Sequence, residues 1–222
     1  MKYTLIRSRR QTCAIIIRDK EVLVRAPFDM PKHDIDRFVA DKTDWIHTKL
    51  SAIDAYHQAQ SVFSLNYGDT VRYRGAMLRI VARPGDRAGL SDEGFYMPPG
   101  LSPEQIQRVC AEIYRLCARQ VLTEKALAFA KIMGVSPAAV KVNSARTKWG
   151  SCSGKKNLNF SWRLLMADDP VIDYVVVHEL AHLTHMNHSA DFWQGVEHIL
   201  PNYHTHEHAL ITLQEQLRSE NW

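Results

Sequence analysis

Three side chains in the last quarter of this 222-residue chain have the types and spacing to do chemistry: His178, Glu179 and His182. Residues four apart on a helix stack on one face, so the two imidazoles can converge on a single cation. Glu179, one residue further on, sits about 100° around the helix, beside the ion rather than as its third ligand. This is the His-Glu-x-x-His arrangement of zinc hydrolases, two ligands plus a carboxylate that takes a proton from metal-bound water. Average composition yields the five-residue pattern by accident in roughly one chain in a hundred of this length. The context says more. The pattern lies in PVIDYVVVHELAHL, apolar on more than one side, where two histidines and a glutamate need partners to offset their desolvation. A bound dication is one such partner; backbone carbonyls around ordinary core histidines are the other.

Catalytic zinc usually keeps three protein ligands and one open position. His188 is the expected third ligand. It follows Met186-Asn187, where Asn in the left-handed conformation can end the helix, and precedes Ser189, a cap for the next one. His185 shares a face with His178 but lies two turns along the axis, roughly 10 Å away. Asp191 and Glu197 on the following helix are carboxylate alternatives.

With these residues quoted, a resemblance emerges. HELAHLTHMNHSADFW, with the upstream WGSCS and LNFSWRL, resembles the YgjP-like metallopeptidase family, a branch of the zincin fold with SprT-like proteases as distant relatives. The family pattern, His-Glu-x-x-His, five residues, His, matches His178, Glu179, His182 and His188. The similarity reaches the N-terminal part, where Arg7–Arg10 precede a strand and a Trp-containing helix follows; residues 61–100 match none of its patterns. The resemblance implies a zincin-like lobe and a Zn2+ site, and leaves the physiological substrate open.

The elements that must position these residues can be read in turn. Asp168 or Asp169 can cap the active-site helix, and Pro170 suits its first turn. A capping box, Ser102-Pro103-Glu104-Gln105, opens a second helix whose apolar pattern runs to Met133 and stops at Gly134. At some 30 residues it would be roughly 45 Å long, or broken midway, and would pack behind the metal-binding helix. Val140–Asn143 and Leu158–Ser161 read as strands joined by ARTKWGSCSGKKN, a hairpin that by resemblance offers a sheet edge to an extended substrate. Trp149 is a cleft wall or a core aromatic. Arg146, Lys148 and Arg163 bring positive charge to the site, as solvated groups or as substrate contacts; Trp149, Arg146 and Arg163 are the candidate substrate-binding residues. After the site, Ala190–Leu200 is an amphipathic helix stopped by Pro201, and another runs from Tyr203 to Leu217. Eight of the eleven histidines lie between His178 and His208, but 204, 206 and 208 would splay apart on a helix and read as surface or supporting groups.

Upstream, residues 3–7, 12–18 and 21–25 read as strands, with Arg7, Arg9 and Arg10 as a solvated turn or an anion contact. Pro31 to about Gln60 reads as one helix with Trp45 in the core. Val71–Tyr73 and Met77–Val81 form a hairpin around Arg74-Gly75, and 84–100 is a loop with a short strand near Phe95, a candidate cover for the cleft. The class is α+β: a β-rich N-terminal portion with one helix over 1–100, and a zincin-like catalytic lobe over 101–222.

The balance of charge, +4, permits an acidic partner without demanding one. No apolar run approaches a membrane span, MKYTLIRSRR lacks a signal-peptide core, and four cysteines without C-x-x-C spacing fit a reducing cytoplasm. Cys110 and Cys117 read as small core residues, and Cys152 has no base to make it a nucleophile. Three functions fit. The first is a zinc peptidase acting on a peptide or protein. The second is a nucleotide phosphohydrolase whose phosphates meet Arg146, Lys148, Arg163, Lys155 and Lys156. The third is a DNA-associated SprT-like protease, against which the weak net charge stands.

Overall fold

The computed structural model describes residues 1–18, 20–220 and 222 and shows a mixed α+β chain with three small sheets. The chain divides between Phe63 and Ser64. Among the described residues no helix is long and apolar enough to cross a membrane.

The first unit contains strands β1 (Thr4–Ser8), β2 (Ala14–Arg18) and β3 (Glu21–Pro27). Their order is β1-β3-β2, with β1 parallel and β2 antiparallel to β3. Val22, Val24 and Ala26 alternate along the central strand and are buried together with Ile35, Val39 and Ile46. The single helix expected over 31–60 is two, α1 (Lys32–Ala40) and α2 (Thr43–Val62). The Lys42 N–H bonds the Val39 carbonyl three residues back, turning the chain between them. Ile46 then re-enters the core while Trp45, expected there, is 45% exposed. Arg7 neither projects into solvent nor awaits an anion: its Nη1 donates to the carbonyls of Pro27, Phe28 and Met30 at 2.8–2.9 Å.

The second unit begins with β4 (Thr70–Tyr73) and β5 (Ala76–Ala82), joined through Arg74 (φ 50°) and Gly75 (φ 84°). Both turn residues are left-handed, as a two-residue hairpin requires. Residues 84–100, expected as a loop with one short strand, line none of the cavities described below. They supply β6 (Gly89–Ser91) and β7 (Gly94–Met97), completing a β4-β5-β7-β6 sheet that buries Phe95 and Met97. The boundary expected at Gly100 and the division at Phe63 therefore differ by this sheet.

Helix α3 (Pro103–Met133) runs unbroken for 31 residues from the Ser102–Gln105 capping box to a left-handed Gly134. It packs against α4 (Asp169–Ala181), to which Lys125 is tied by Asp173 at 2.6 Å and Asp169 at 3.4 Å. Between them in sequence come β8 (Ala139–Asn143), β9 (Gly150–Cys152), β10 (Asn157–Ser161) and a 3₁₀ turn over Trp162–Met166. The expected hairpin of 140–143 with 158–161 is instead a parallel pair, β8 with β10, and the antiparallel partner of β10 is β9. The long connection supplied a strand of its own, which occupies the edge of a β8-β10-β9 sheet. Helices α5 (Ala190–Ile199) and α6 (Tyr203–Ser219) follow the site.

Candidate metal centre

Helix α4 is apolar on nearly all sides, with Val171, Ile172, Val175, Val176, Val177 and Leu180 buried. Its start is held from two directions. The Arg74 guanidinium makes a bidentate pair with Asp169 at 2.8 and 2.9 Å, and a Cβ on Gly75 would stand 3.1 Å from the Asp168 Cβ. The Arg74 hydrogen bond, foremost, holds the Asp169 carboxyl below its ordinary range. Asp168 occupies the N-cap position without a side-chain capping bond.

The helix ends earlier than expected, at Ala181, so His182 is the C-cap rather than a mid-helix residue. Asn187 is not left-handed; the turn is made by Leu183, Thr184 and His185, whose N–H groups bond the carbonyls of Leu180 and Ala181. This early stop folds the His185 carbonyl back to 3.0 Å from His182 Nδ1. A carbonyl only accepts, so the neutral ring carries its proton on Nδ1 and leaves the Nε2 lone pair free. His185 thus enters the site through its backbone.

The chain then returns His188 to His178, Nε2 to Nε2 at 3.1 Å. One ring nitrogen from each of His178, His182 and His188 falls within 4.8 Å of the others. Tetrahedral zinc, with Zn–N of about 2.0–2.1 Å, spaces its ligands about 3.4 Å apart, so this donor set fits such an ion. Burial, with His182 and His188 nearby, pulls His178 down to about 4, which keeps its lone pair free of protons at neutral pH. His178 Nδ1 is buried without a hydrogen-bond partner, so packing orients this ring. Phe192 supplies that packing for all three histidines, with ring centroids 4.6–5.0 Å away, and Trp193 stacks on His188 at 5.6 Å. Sequence reading found both aromatics on an amphipathic helix; that their target is the imidazoles has no signal in periodicity. Asp191 and Glu197, the carboxylate alternatives, are not in the cluster.

Glu179 faces away from this wall toward β9. It is 6% exposed, and a Cβ on Gly150 would come within 2.6 Å of its Cγ and Oε1. Glycine is what lets the strand lie directly on the carboxylate. Burial pushes Glu179 up to about 7, partly offset by the Lys148 charge and the Cys152 N–H. Burial and Glu179 raise the Cys152 thiol, which favours its protonated form. Gly150–Cys152, Glu179, Met186 and the three histidines line a cleft of about 340 Å³.

The candidate substrate residues are placed unequally. Trp149 is half-buried beside Glu179 in an adjoining cavity. Arg146 is exposed, and its carbonyl accepts from Gln214 at 3.3 Å. Arg163 is 7% exposed; its Nη1 donates to the Ser144 and Ala145 carbonyls and its guanidinium lies 4.3 Å from the Trp162 ring centroid. It braces the 144–149 connection from beneath, and burial lowers it to about 10.

The YgjP-like family model, described as a metallopeptidase domain, matches residues 11–212. Among solved structures, the zymogen of the Pyrococcus abyssi metallopeptidase abylysin is 22% identical, with a TM-score of 0.39 over 41% of this chain and 93% of that one. No curated protein matches the sequence.

Proposed function

Because the chain belongs to the YgjP-like metallopeptidase family, we propose that it hydrolyses peptide bonds in a zincin-type lobe, with zinc held by His178, His182 and His188. The observation that carries this reading is the pairing of Glu179 with Gly150: a carboxylate kept dry beside three converging imidazoles, under a strand that a side chain at 150 would displace. When bound, the ion supplies a Lewis acid and lowers the pKa of water toward about 7. Glu179, itself raised toward neutrality, takes the proton of the attacking water and passes it to the leaving amine.

Strand β9 receives the substrate. Trp149 O accepts from Ser161 N and Ser153 N donates to Asn157 O, so by alternation Gly150 and Cys152 turn their backbone groups to the free edge. The Cys152 N–H bonds Glu179; the Gly150 N–H and both carbonyls remain for an extended peptide. Trp149 walls the adjoining cavity beside Glu179, and the exposed Arg146 precedes it on the same connection. The phosphohydrolase reading loses support because the buried Arg163 is spent on its own loop. Four free cysteines suit a reducing, cytoplasmic setting.

The test is metal content and turnover of wild type beside Glu179→Gln on a peptide panel. One equivalent of zinc in both, with activity reduced about 10²–10⁴-fold in the variant, is expected. Equal activity in both would overturn the role of Glu179, and absence of zinc would overturn the site.

A further inference from the structure

The cleft does not end at the metal centre. A cavity of about 250 Å³ shares Gly150, His178 and Glu179 with it and adds Trp149, Tyr174 and Leu210. Those last three are shared in turn with a groove of about 390 Å³, whose far wall is the α6 stripe Glu207, Leu210, Ile211 and Glu215. Tyr174 marks the junction. It stands one turn before His178 on the same face of α4, is 4% exposed, and meets the His178 ring edge-on at 5.9 Å.

Direction follows from β9. The strand runs from Gly150 to Cys152, away from Trp149. A peptide pairing antiparallel to it runs the opposite way, so residues after the scissile bond lie at the Trp149 end. The groove therefore faces the amine side of the bond.

Its lining is apolar near the centre and acidic beyond. Ile211 is 57% exposed. Glu207 has the His204 ring at 3.7 Å and lies close enough to Tyr174 and Tyr203 to raise both phenols, with no Lys or Arg paired to it among the described residues, and Glu215 is exposed. The two cations on the path are Lys148, which faces Glu179, and Arg218 at the outer mouth, which has a partner of its own. An aliphatic stem ending in a cation fits this sequence of surfaces: methylenes over Trp149 and Leu210, charge at the carboxylates.

Resting on the peptidase reading above, we propose that this groove is the subsite for the residue following the scissile bond, and that Glu207, with Glu215 beyond it, selects lysine or arginine there. The test is the cleavage profile of the zinc-loaded protein on a mixed peptide library, mapped by mass spectrometry, for wild type, Glu207→Gln/Glu215→Gln and Glu207→Lys. Lys and Arg enriched directly after the cut, enrichment lost in the double variant and moved toward Asp and Glu in Glu207→Lys, are expected. Cleavage without basic enrichment, or with a profile unchanged by the variants, overturns the subsite and leaves the peptidase standing. If no peptide is cut, the peptidase reading fails instead. An equilibrium arm then decides the subsite alone: peptide pools carrying Lys, Leu or Glu at one central position are bound to Glu179→Gln protein stripped of metal. About fivefold tighter binding of the Lys pool, abolished by Glu207→Gln, is expected; equal binding of the three pools overturns it.

Discussion

Two of the three sheets in this molecule are built alike. In each the strand order is first, third, second; the first strand is parallel and the second antiparallel to the central third, and a left-handed lysine, Lys20 or Lys156, precedes that central strand. They differ in the second strand. In the N-terminal sheet it is Ala-Ile-Ile-Ile-Arg, half-buried and packed on the Val22–Val24–Ala26 core. In the C-terminal sheet it is Gly-Ser-Cys, short and at an edge, with a buried carboxylate against its glycine. One topology thus carries a packed strand in one place and borders the candidate site in another, where the side chain that the edge strand leaves out makes room for Glu179.

The largest way to break the comparison is Gly150→Val. A side chain there displaces Glu179, and turnover on a cleavable peptide should fall at least about 100-fold while zinc content stays near one equivalent. Retained activity would show that the glycine is incidental. Next, Val24→Ala in the central strand of the other sheet should lower unfolding free energy by about 2 kcal/mol, read by urea denaturation, with zinc content unchanged.

A smaller effect sharpens how helix α4 is held. Arg74→Gln removes the bidentate partner of Asp169, a half-exposed pair contributing less than about 1 kcal/mol. The Asp169 carboxyl is depressed in the fold, so its contribution is fully present above the ordinary value of 3.8 and disappears as pH falls through the folded value. Wild type and variant should therefore differ in denaturation midpoint at pH 6 and converge in acid. A difference that persists at low pH would assign the effect to packing. Smallest of all, Ala14→Val, at the position that opens β2 as Gly150 opens β9, should shift stability by no more than about 0.5 kcal/mol and leave turnover alone.

Much of this was legible in the chain. The capping box and Gly134 bounded α3 because both ends are set by local backbone chemistry. The Arg74-Gly75 turn was readable for the same reason. What escaped depended on contacts distant in sequence. The parallel pairing of β8 with β10 hid a strand inside what looked like a loop, since three residues of Gly-Ser-Cys carry no alternation. Arg163 advertised charge, but only the fold shows it beneath Trp162. Of the candidate site, the spacing of His178, Glu179 and His182 was plain, whereas the early helix stop at Ala181 and the backbone role of His185 were not; nothing in HLTHMNH breaks a helix by composition.

That early stop has a kinetic and entropic consequence. Leu183–Asn187 form the arc between two of the three converging imidazoles, held at one end by the His182–His185 bond and at the other by Trp193 stacked on His188. A loop this short brings its two ends to a high effective concentration, and groups within the protein fix its conformation. In the proposed site the spacing of two of the three nitrogen donors is accordingly set by the rigidity of these five residues, one of which, Met186, also lines the cleft.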